Sequence, residues 1–452
     1  MSYQDVTNFT EAMKIFWGKQ VIDYQKYHTF LYDEEAIPLG NEHFNGRYFH
    51  IPIDIRDGVS VGSRPSAENS GSIPEFYPHT PIHAEVYPKS TYVTMQMTGQ
   101  VKAQGTGSEE GIWEAVDTKL MRKAAKGLAE QFNRIYWTGS FGILAEVASV
   151  AAVAGTQYTV TIKTYGDTIL NASGFAPKRS KYLRPLVGRR VVFGAASGGV
   201  DFAAATPTGR GVCTVISVGT TSPFTTFVVD VAANPAVVPA AGDVFVLGDA
   251  TSFGRHSYNQ EPAGLQQIVN NANDSFEAVN TTTYPEWAAL VRGNPGGIGT
   301  GTITPSENDL QELYDNVLLQ GNVDKIDCLA MTPGVYRTLV QILRNKGGER
   351  YVPTTFKGGL TRLAWTFGGD PVPLYSDMYA PNNDIYYLSF ESFMKCTTKQ
   401  FDWDDTGGSV WKWQAGVDGA VAFGKAYGTL ATQRRNGCAK FTDILEQGTM
   451  LA

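Results

Sequence analysis

The stretch RYFHIPIDI, residues 47–55, alternates strictly, with Phe49, Ile51, Ile53 and Ile55 on one face and Tyr48, His50, Pro52 and Asp54 on the other. A period of two is that of a β-strand with one wet face. Residues 92–103 alternate in the same way, with Val93, Met95, Met97, Val101 and Ala103 on one side and Thr94, Gln96, Thr98, Gln100 and Lys102 on the other. Pro52 cannot donate to a ladder, so its strand belongs at an edge or in a two-stranded ribbon. Between the two runs, DGVSVGSRPSAENSGSIPEFYPHTPIHAEVYPKS is rich in Gly, Pro and Ser and too long for an ordinary hairpin connection. The pattern predicts a projecting ribbon over residues 46–104. Its tip residues Ser63, Arg64, Pro65, Glu68, Asn69, Glu75, Phe76 and Tyr77 are the candidate assembly site. A two-stranded ribbon is marginally stable in water, so it must lie on another domain or on another subunit.

On the N-terminal side, residues 1–45 read as an arm, in which Phe9, Ala12, Met13, Phe16, Gln20, Val21 and Tyr24 recur at helical spacing. On the C-terminal side, Thr106 and Glu109 form a capping box, and Glu110, Glu114 and Asp117 suit the positive end of a helix. Trp113 stands in its first turns. Ile112, Val116, Leu120, Ala124, Leu128 and Phe132 then step by four, predicting a helix of about 30 residues and ~45 Å that ends near Gly139. A stripe with that step spirals around the helix, so the helix meets different neighbours along its length, as a beam does. It opens the span 105–155.

Residues 156–250 shift to short Val- and Thr-rich runs separated by Gly, Pro or Asn, which predicts an inserted small antiparallel β domain. Beyond it, Ser306–Asp309 opens a helix stopped by Gly321, KIDCLAM reads as a strand, and Thr332 with Pro333 opens a second helix ended by Gly347 and Gly348. PVPLYSD, DIYYLSF and VWKWQAGVDGAVAFGKAYGTLAT supply further strands. The fold class is α+β, with one domain over 251–390 and returning strands over 391–452.

Composition narrows the function. A chain of 452 residues exceeds the ~250 to 300 at which single cores stop growing, so several domains are expected. Charged residues make up 18%, below the ~25% common in globular proteins, which suits a surface buried against other subunits. The net charge of −7 has the wrong sign for gripping phosphates. Cys213, Cys328, Cys396 and Cys438 are widely spaced and read as reduced core residues. No leader is recognisable and no run reaches the ~18 apolar residues of a span, so a cytoplasmic protein without a membrane partner is expected.

No HExxH, P-loop or GxSxG occurs. His79 and His83 sit four apart in HTPIH, but Pro81 excludes the helix that such a metal pair needs. DWDDTGG, residues 402–408, starts like a calcium loop and has Trp413 where the bidentate Glu belongs. GGIGTG, residues 296–301, lacks the preceding strand of a dinucleotide site. Lys119, Arg122, Lys123 and Lys126 read as a solvated helix face. No catalytic, cofactor or metal residue is expected.

The order of arm, ribbon, capped helix, β insertion and α+β core resembles the major capsid proteins of tailed bacteriophages, the Hong Kong 97 fold. Residues 46–104 resemble its E-loop, which lies on a neighbouring subunit. Thr106 to Tyr136 resembles its spine helix, in the peripheral domain. Residues 262–390 resemble its axial domain, with GGDPVPLYSDMYAP similar to a recurring stretch there. The resemblance implies a non-enzymatic homo-oligomer of hexamers and pentamers, closing an icosahedral shell around double-stranded DNA without sequence-specific binding. It implies a portal, a decoration protein as an optional partner, and assembly of the virion capsid in the host bacterial cytoplasm. With about 45 residues before the ribbon, a separate scaffolding protein is implied too. An encapsulin-like nanocompartment is the alternative within the same fold. A multidomain carbohydrate-active enzyme is the alternative outside it, favoured only by β content and eight Trp.

Overall fold

The computed structural model describes residues 37, 38, 40, 43–56, 80–98, 127, 128, 131–164, 167–169, 175, 177–195, 211–220, 224–232, 235, 237–248, 256–271, 275–295, 301–345, 351–355, 361–367, 370–404, 410–413 and 419–447. The alternating run becomes strand β1 (Phe49–Arg56), paired antiparallel with β2 (Thr80–Val86) from Phe49↔Val86 to Arg56↔Thr80. Pro88 then ends that ladder, and β3 (Lys89–Thr98) runs off into a different sheet. This corrects the expected ribbon: its returning strand is 80–86, and residues 92–98 of the second alternating run pair elsewhere. Period two shows that a strand has one wet face. It does not show which strand lies beside it.

A six-stranded barrel follows, formed by β4 (Ile143–Ala154), β5 (Gln157–Ile162), β6 (Arg190–Ala195), β7 (Gly211–Val218), β8 (Thr226–Asp230) and β9 (Asp243–Val246). The ladder order β4-β5-β8-β7-β6-β9 closes on itself, so this sheet has no free edge. Val160, Ile162, Phe193, Val215, Phe227, Val229 and Phe245 fill it. Gly211 leaves room for the Phe193 ring, since a Cβ there would lie 2.2 Å from it. The expected insertion is a β domain, but it starts at Ile143 and not at 156. Its first strand, ILAEVASVAAVA, is Ala-rich and only partly alternating, so its strand character was hidden.

A two-residue hairpin, β10 (Ser275–Phe276) and β11 (Val279–Asn280), precedes a mixed seven-stranded sheet. That sheet holds β12 (Leu290–Arg292), β13 (Cys328–Met331), β14 (Tyr351–Thr355), β15 (Thr361–Phe367), β16 (Asp370–Ser376), β17 (Ile385–Leu388) and β21 (Ala439–Phe441). Its order is β12-β21-β17-β13-β16-β15-β14. Leu329, Met331, Ile385 and Tyr387 pack against Leu310, Leu313 and Val317 of one helix (Glu307–Gly321) and Val335 and Leu339 of a second (Pro333–Asn345). Alternate residues of the same strands, Cys328, Ala330, Tyr386 and Leu388, meet Trp137, Leu265 and Leu430 on the opposite face. A sheet covered on both faces explains the continuous apolar runs CLAM and IYYL. Ser306 caps the first helix: its Oγ accepts from Asp309 N at 3.1 Å while Asp309 Oδ2 accepts from Ser306 N at 3.0 Å. Within the expected returning segment 391–452, β21 belongs to this sheet, which departs from the expected division.

The last sheet is built on β20 (Gly419–Thr432), with β3 along one edge and β18 (Phe393–Trp403) and β19 (Trp411–Trp413) along the other. Helical residues 131–138 lie on it, with Leu128 and Phe132 against Met95, Phe401, Trp403 and Ala422.

Candidate assembly surface

The stem of the ribbon has two unlike faces. Inward, Phe49, Ile51, Ile53, Ala84 and Val86 are buried on Val279 and Trp287 and on Met394, Cys396 and Ala431 of the β18–β20 sheet. The backbone joins the same seat, since Glu85 N donates to Glu277 O at 2.9 Å. This stem is held by its own chain, which resolves the partner left open above for the described strands. Outward, Tyr48 and Tyr87 lie 5.5 Å apart, Tyr48 and His50 6.3 Å, and His50 stacks on His83 at 4.1 Å. Tyr87 is 45% exposed, so this row buries little area in one chain. Its hydroxyl donates to Glu85 Oε2 at 3.1 Å, and that carboxylate raises the phenol's pKa. Asn45 fixes the entry to β1, its Oδ1 accepting from the Arg47 and Tyr48 amides.

The candidate tip residues Ser63, Arg64, Pro65, Glu68, Asn69, Glu75, Phe76 and Tyr77 lie outside the described residues, as do Thr106, Glu109, Trp113 and Leu120 of the expected spine helix. Leu128 is described and is 3% exposed, inside the helix-to-sheet core. The aromatic row was half visible in the sequence. Tyr48 and His50 fall on the wet face of β1, whereas His83 and Tyr87 needed the correct returning strand to be seen beside them.

A second contact region joins the barrel to the seven-stranded sheet. Tyr182 stacks on Tyr379 with ring centroids 6.3 Å apart, and its hydroxyl donates to Tyr379 O at 2.7 Å. Lys181 Nζ donates to Ala380 O. Burial pushes the Lys181 ammonium down to about 8, against the pull of Glu446 and Asp377. Arg179 meets Glu446 Oε2 at 2.6 Å, and Glu446 Oε1 accepts from Thr332 Oγ1 at 2.6 Å and from Asn383 N at 3.3 Å. The C-terminal segment thereby ties the barrel to the start of the second helix. Thr332 stood out in the sequence as a helix opener, and Asp377, Tyr379 and Ala380 fall in GGDPVPLYSDMYAP, but their pairing with Lys181, Tyr182 and Glu446 did not, because the partners are far apart along the chain.

Among the described residues no three His, Cys, Asp or Glu side chains gather in a metal-binding set, and no helix is long and apolar enough to cross a membrane. All four cysteines are buried thiols. Burial pushes Cys396 and Cys438 up to about 12, so neither is a ready thiolate at neutral pH. Asp404, in the expected acidic turn, is paired with Lys412 at 2.6 Å and Lys425 at 3.1 Å.

No family model matches the chain, and no curated protein does. Solved structures resemble it over most of its length. The capsid asymmetric unit of cyanophage A-1(L) is 11% identical with a TM-score of 0.45, covering 90% of this chain and 91% of that one. The capsid of the native GTA particle is 6% identical with a TM-score of 0.42, covering 92% and 91%. These neighbours are capsid proteins. A third, the holo-SrpI encapsulin complex from Synechococcus elongatus, is 9% identical with a TM-score of 0.39, covering 82% and 81%.

Proposed function

We propose that the chain is a shell-forming major capsid protein of a tailed bacteriophage. The observation that supports this best is the ribbon stem. Its two strands pair with no third strand among the described residues, its inner face is seated on its own body, and its outer face presents an exposed aromatic row. Arg56 and Thr80 are ladder partners at one end of this stem, and residues 57–79 of the sequence connect them. A ribbon so anchored is suited to reach a neighbouring copy, and repetition of one such contact around a symmetry axis closes rings.

In this reading the subunit forms hexamers and pentamers of an icosahedral virion shell, assembled in the bacterial cytoplasm with a separate scaffolding protein and a portal. A decoration protein is an optional addition. Double-stranded DNA is enclosed without sequence-specific contact, in keeping with a net charge of −7. The subunit is not an enzyme and carries no cofactor. The domain reading is a peripheral region around β18–β20, an axial region around the seven-stranded sheet, and an inserted barrel. Electron microscopy of the purified protein tests it: closed shells or ring-shaped capsomers are expected, and monodisperse monomers at all concentrations overturn it. Coexpression with scaffold and portal, followed by assay for packaged DNA, separates a phage capsid from a nanocompartment shell.

A further inference from the structure

The ribbon stem rests on the β10–β11 hairpin, whose two turn residues are Glu277 and Ala278 with φ of 53° and 65°. Both values lie in the left-handed region that two-residue hairpin turns require and that Asn-Gly or Asp-Gly normally supplies. Neither residue here is a glycine, so the turn holds backbone strain that its surroundings must maintain. Glu277 as a whole is partly buried, and its carboxyl group points inward. Oε1 accepts from Thr432 N at 3.2 Å, while Oε2 is sealed from solvent with no hydrogen-bond partner. Its main-chain oxygen is the acceptor that holds Glu85 of β2. One residue thus touches the stem through its backbone and the β20 strand through its side chain.

Among the described residues, Arg435 and Cys396 are titratable groups that interact with it. Arg435, fully buried, gives two of its donors to Ile268 O at 2.7 Å and Gln267 O at 3.2 Å. Cys396 of β18 is a buried thiol on the inner side, and Glu85 of β2 directs its carboxylate outward to Tyr87. Burial pushes the Glu277 carboxyl up to about 8, with the Thr432 amide and Arg435 opposing it. A carboxyl group lodged in an apolar seat with one oxygen unmatched is held there as the neutral acid.

We propose that the Glu277 hairpin is a proton-held latch, which seats the ribbon stem while the carboxyl keeps its proton and releases that proton each time the stem lifts. With the stem lifted and water admitted to the seat, the side chain is an ordinary acid. The seated form therefore binds one more proton than the lifted form from the ordinary carboxylate range up to about pH 8. Over that window, lifting becomes about tenfold easier per pH unit. Above it the seated form is also ionised and the dependence flattens. The stem is thus tightest in mild acid and loosest in mild alkali.

Amide hydrogen exchange of the full chain between pH 5 and 8, read at Glu85 and the β1–β2 ladder, tests this. Base-catalysed exchange alone gives a slope of about one for log rate against pH when reclosing is fast, and a proton released on opening raises it to about two. The wild type is expected near two and Glu277→Gln, which keeps an acceptor for the Thr432 amide, near one. His50 and His83 remain in that variant, so any effect of theirs is common to both proteins. Ala278→Gly relieves strain and keeps the acid, so it is expected to slow exchange while retaining the steeper slope. A wild-type slope of one, or a Glu277→Gln slope as steep as wild type, overturns the proposal.

Discussion

The Arg134 guanidinium and the Glu261 carboxylate meet in two parallel hydrogen bonds of 2.9 and 2.5 Å, with side chains 1% and 7% exposed. The pair bolts the helical residues 131–138 to the segment that leads from the barrel into the seven-stranded sheet. Leaving one partner alone strands a buried charge, which costs about 3–5 kcal/mol. Glu261→Gln and Arg134→Met are each expected to destabilise the chain by roughly that amount in urea unfolding, whereas the double change Arg134→Met with Glu261→Leu recovers most of it. If the double change is as unstable as either single one, the stabilisation comes from the shape of the site and not from charge matching.

Glu446 gives a pH-dependent contribution of opposite sign to that of Glu277. Burial pushes its carboxyl up, but Arg179, the Thr332 hydroxyl, Lys181 and the Asn383 amide outweigh this and hold it below the ordinary value of 4.5. A carboxylate lowered on folding stabilises fully above its unfolded pKa, and the effect is lost as pH falls through the folded value. Glu446→Gln is therefore expected to cost about 1–3 kcal/mol at pH 7, a gap that closes in acid. Unfolding curves of both proteins from pH 3 to 7 provide the measurement.

Replacing residues 60–80 by a short Gly-Ser turn is expected to leave a soluble folded subunit and to abolish shells, because the inner face of the stem is satisfied by its own chain. Circular dichroism and electron microscopy of the same preparation check the two halves. Normal closed particles from the shortened chain sink the assembly role of the ribbon.

Mature particles are expected to dissolve into single chains in hot denaturant. A covalent link made through the ribbon tip needs a reactive amine, and SRPSAENSGSIPEFYPH contains no Lys. Its Arg64 stays protonated and is a poor nucleophile. Denaturing gels of virions should give one band at the size of a single chain, and ladders of pentamer and hexamer size contradict this.

Local chemistry was legible in the sequence and long-range pairing was not. Ser306 with Asp309, and Thr332 with Pro333, announce two helices within four residues, and both helices begin there. The inward face of β1 was also readable from Phe49, Ile51 and Ile53 alone. By contrast β3 carries the same period as β1, so only the break at Pro88 marked that it leaves the ribbon, while β21 has three residues and no pattern to read. Arg134 and Glu261 are separated by 127 positions, and nothing local to either hints at the other.

Because β9 closes the barrel against β4, Ile143 and Val246 are ladder partners, which places the chain's entry and exit about 5 Å apart. For the two host sheets the whole barrel is therefore a single stitch, no wider than a tight turn. A different domain with ladder-paired termini fits that stitch without moving any host strand. It inherits further obligations where the barrel meets its hosts, to reach Tyr379 and Ala380 as Tyr182 and Lys181 do and Glu446 as Arg179 does.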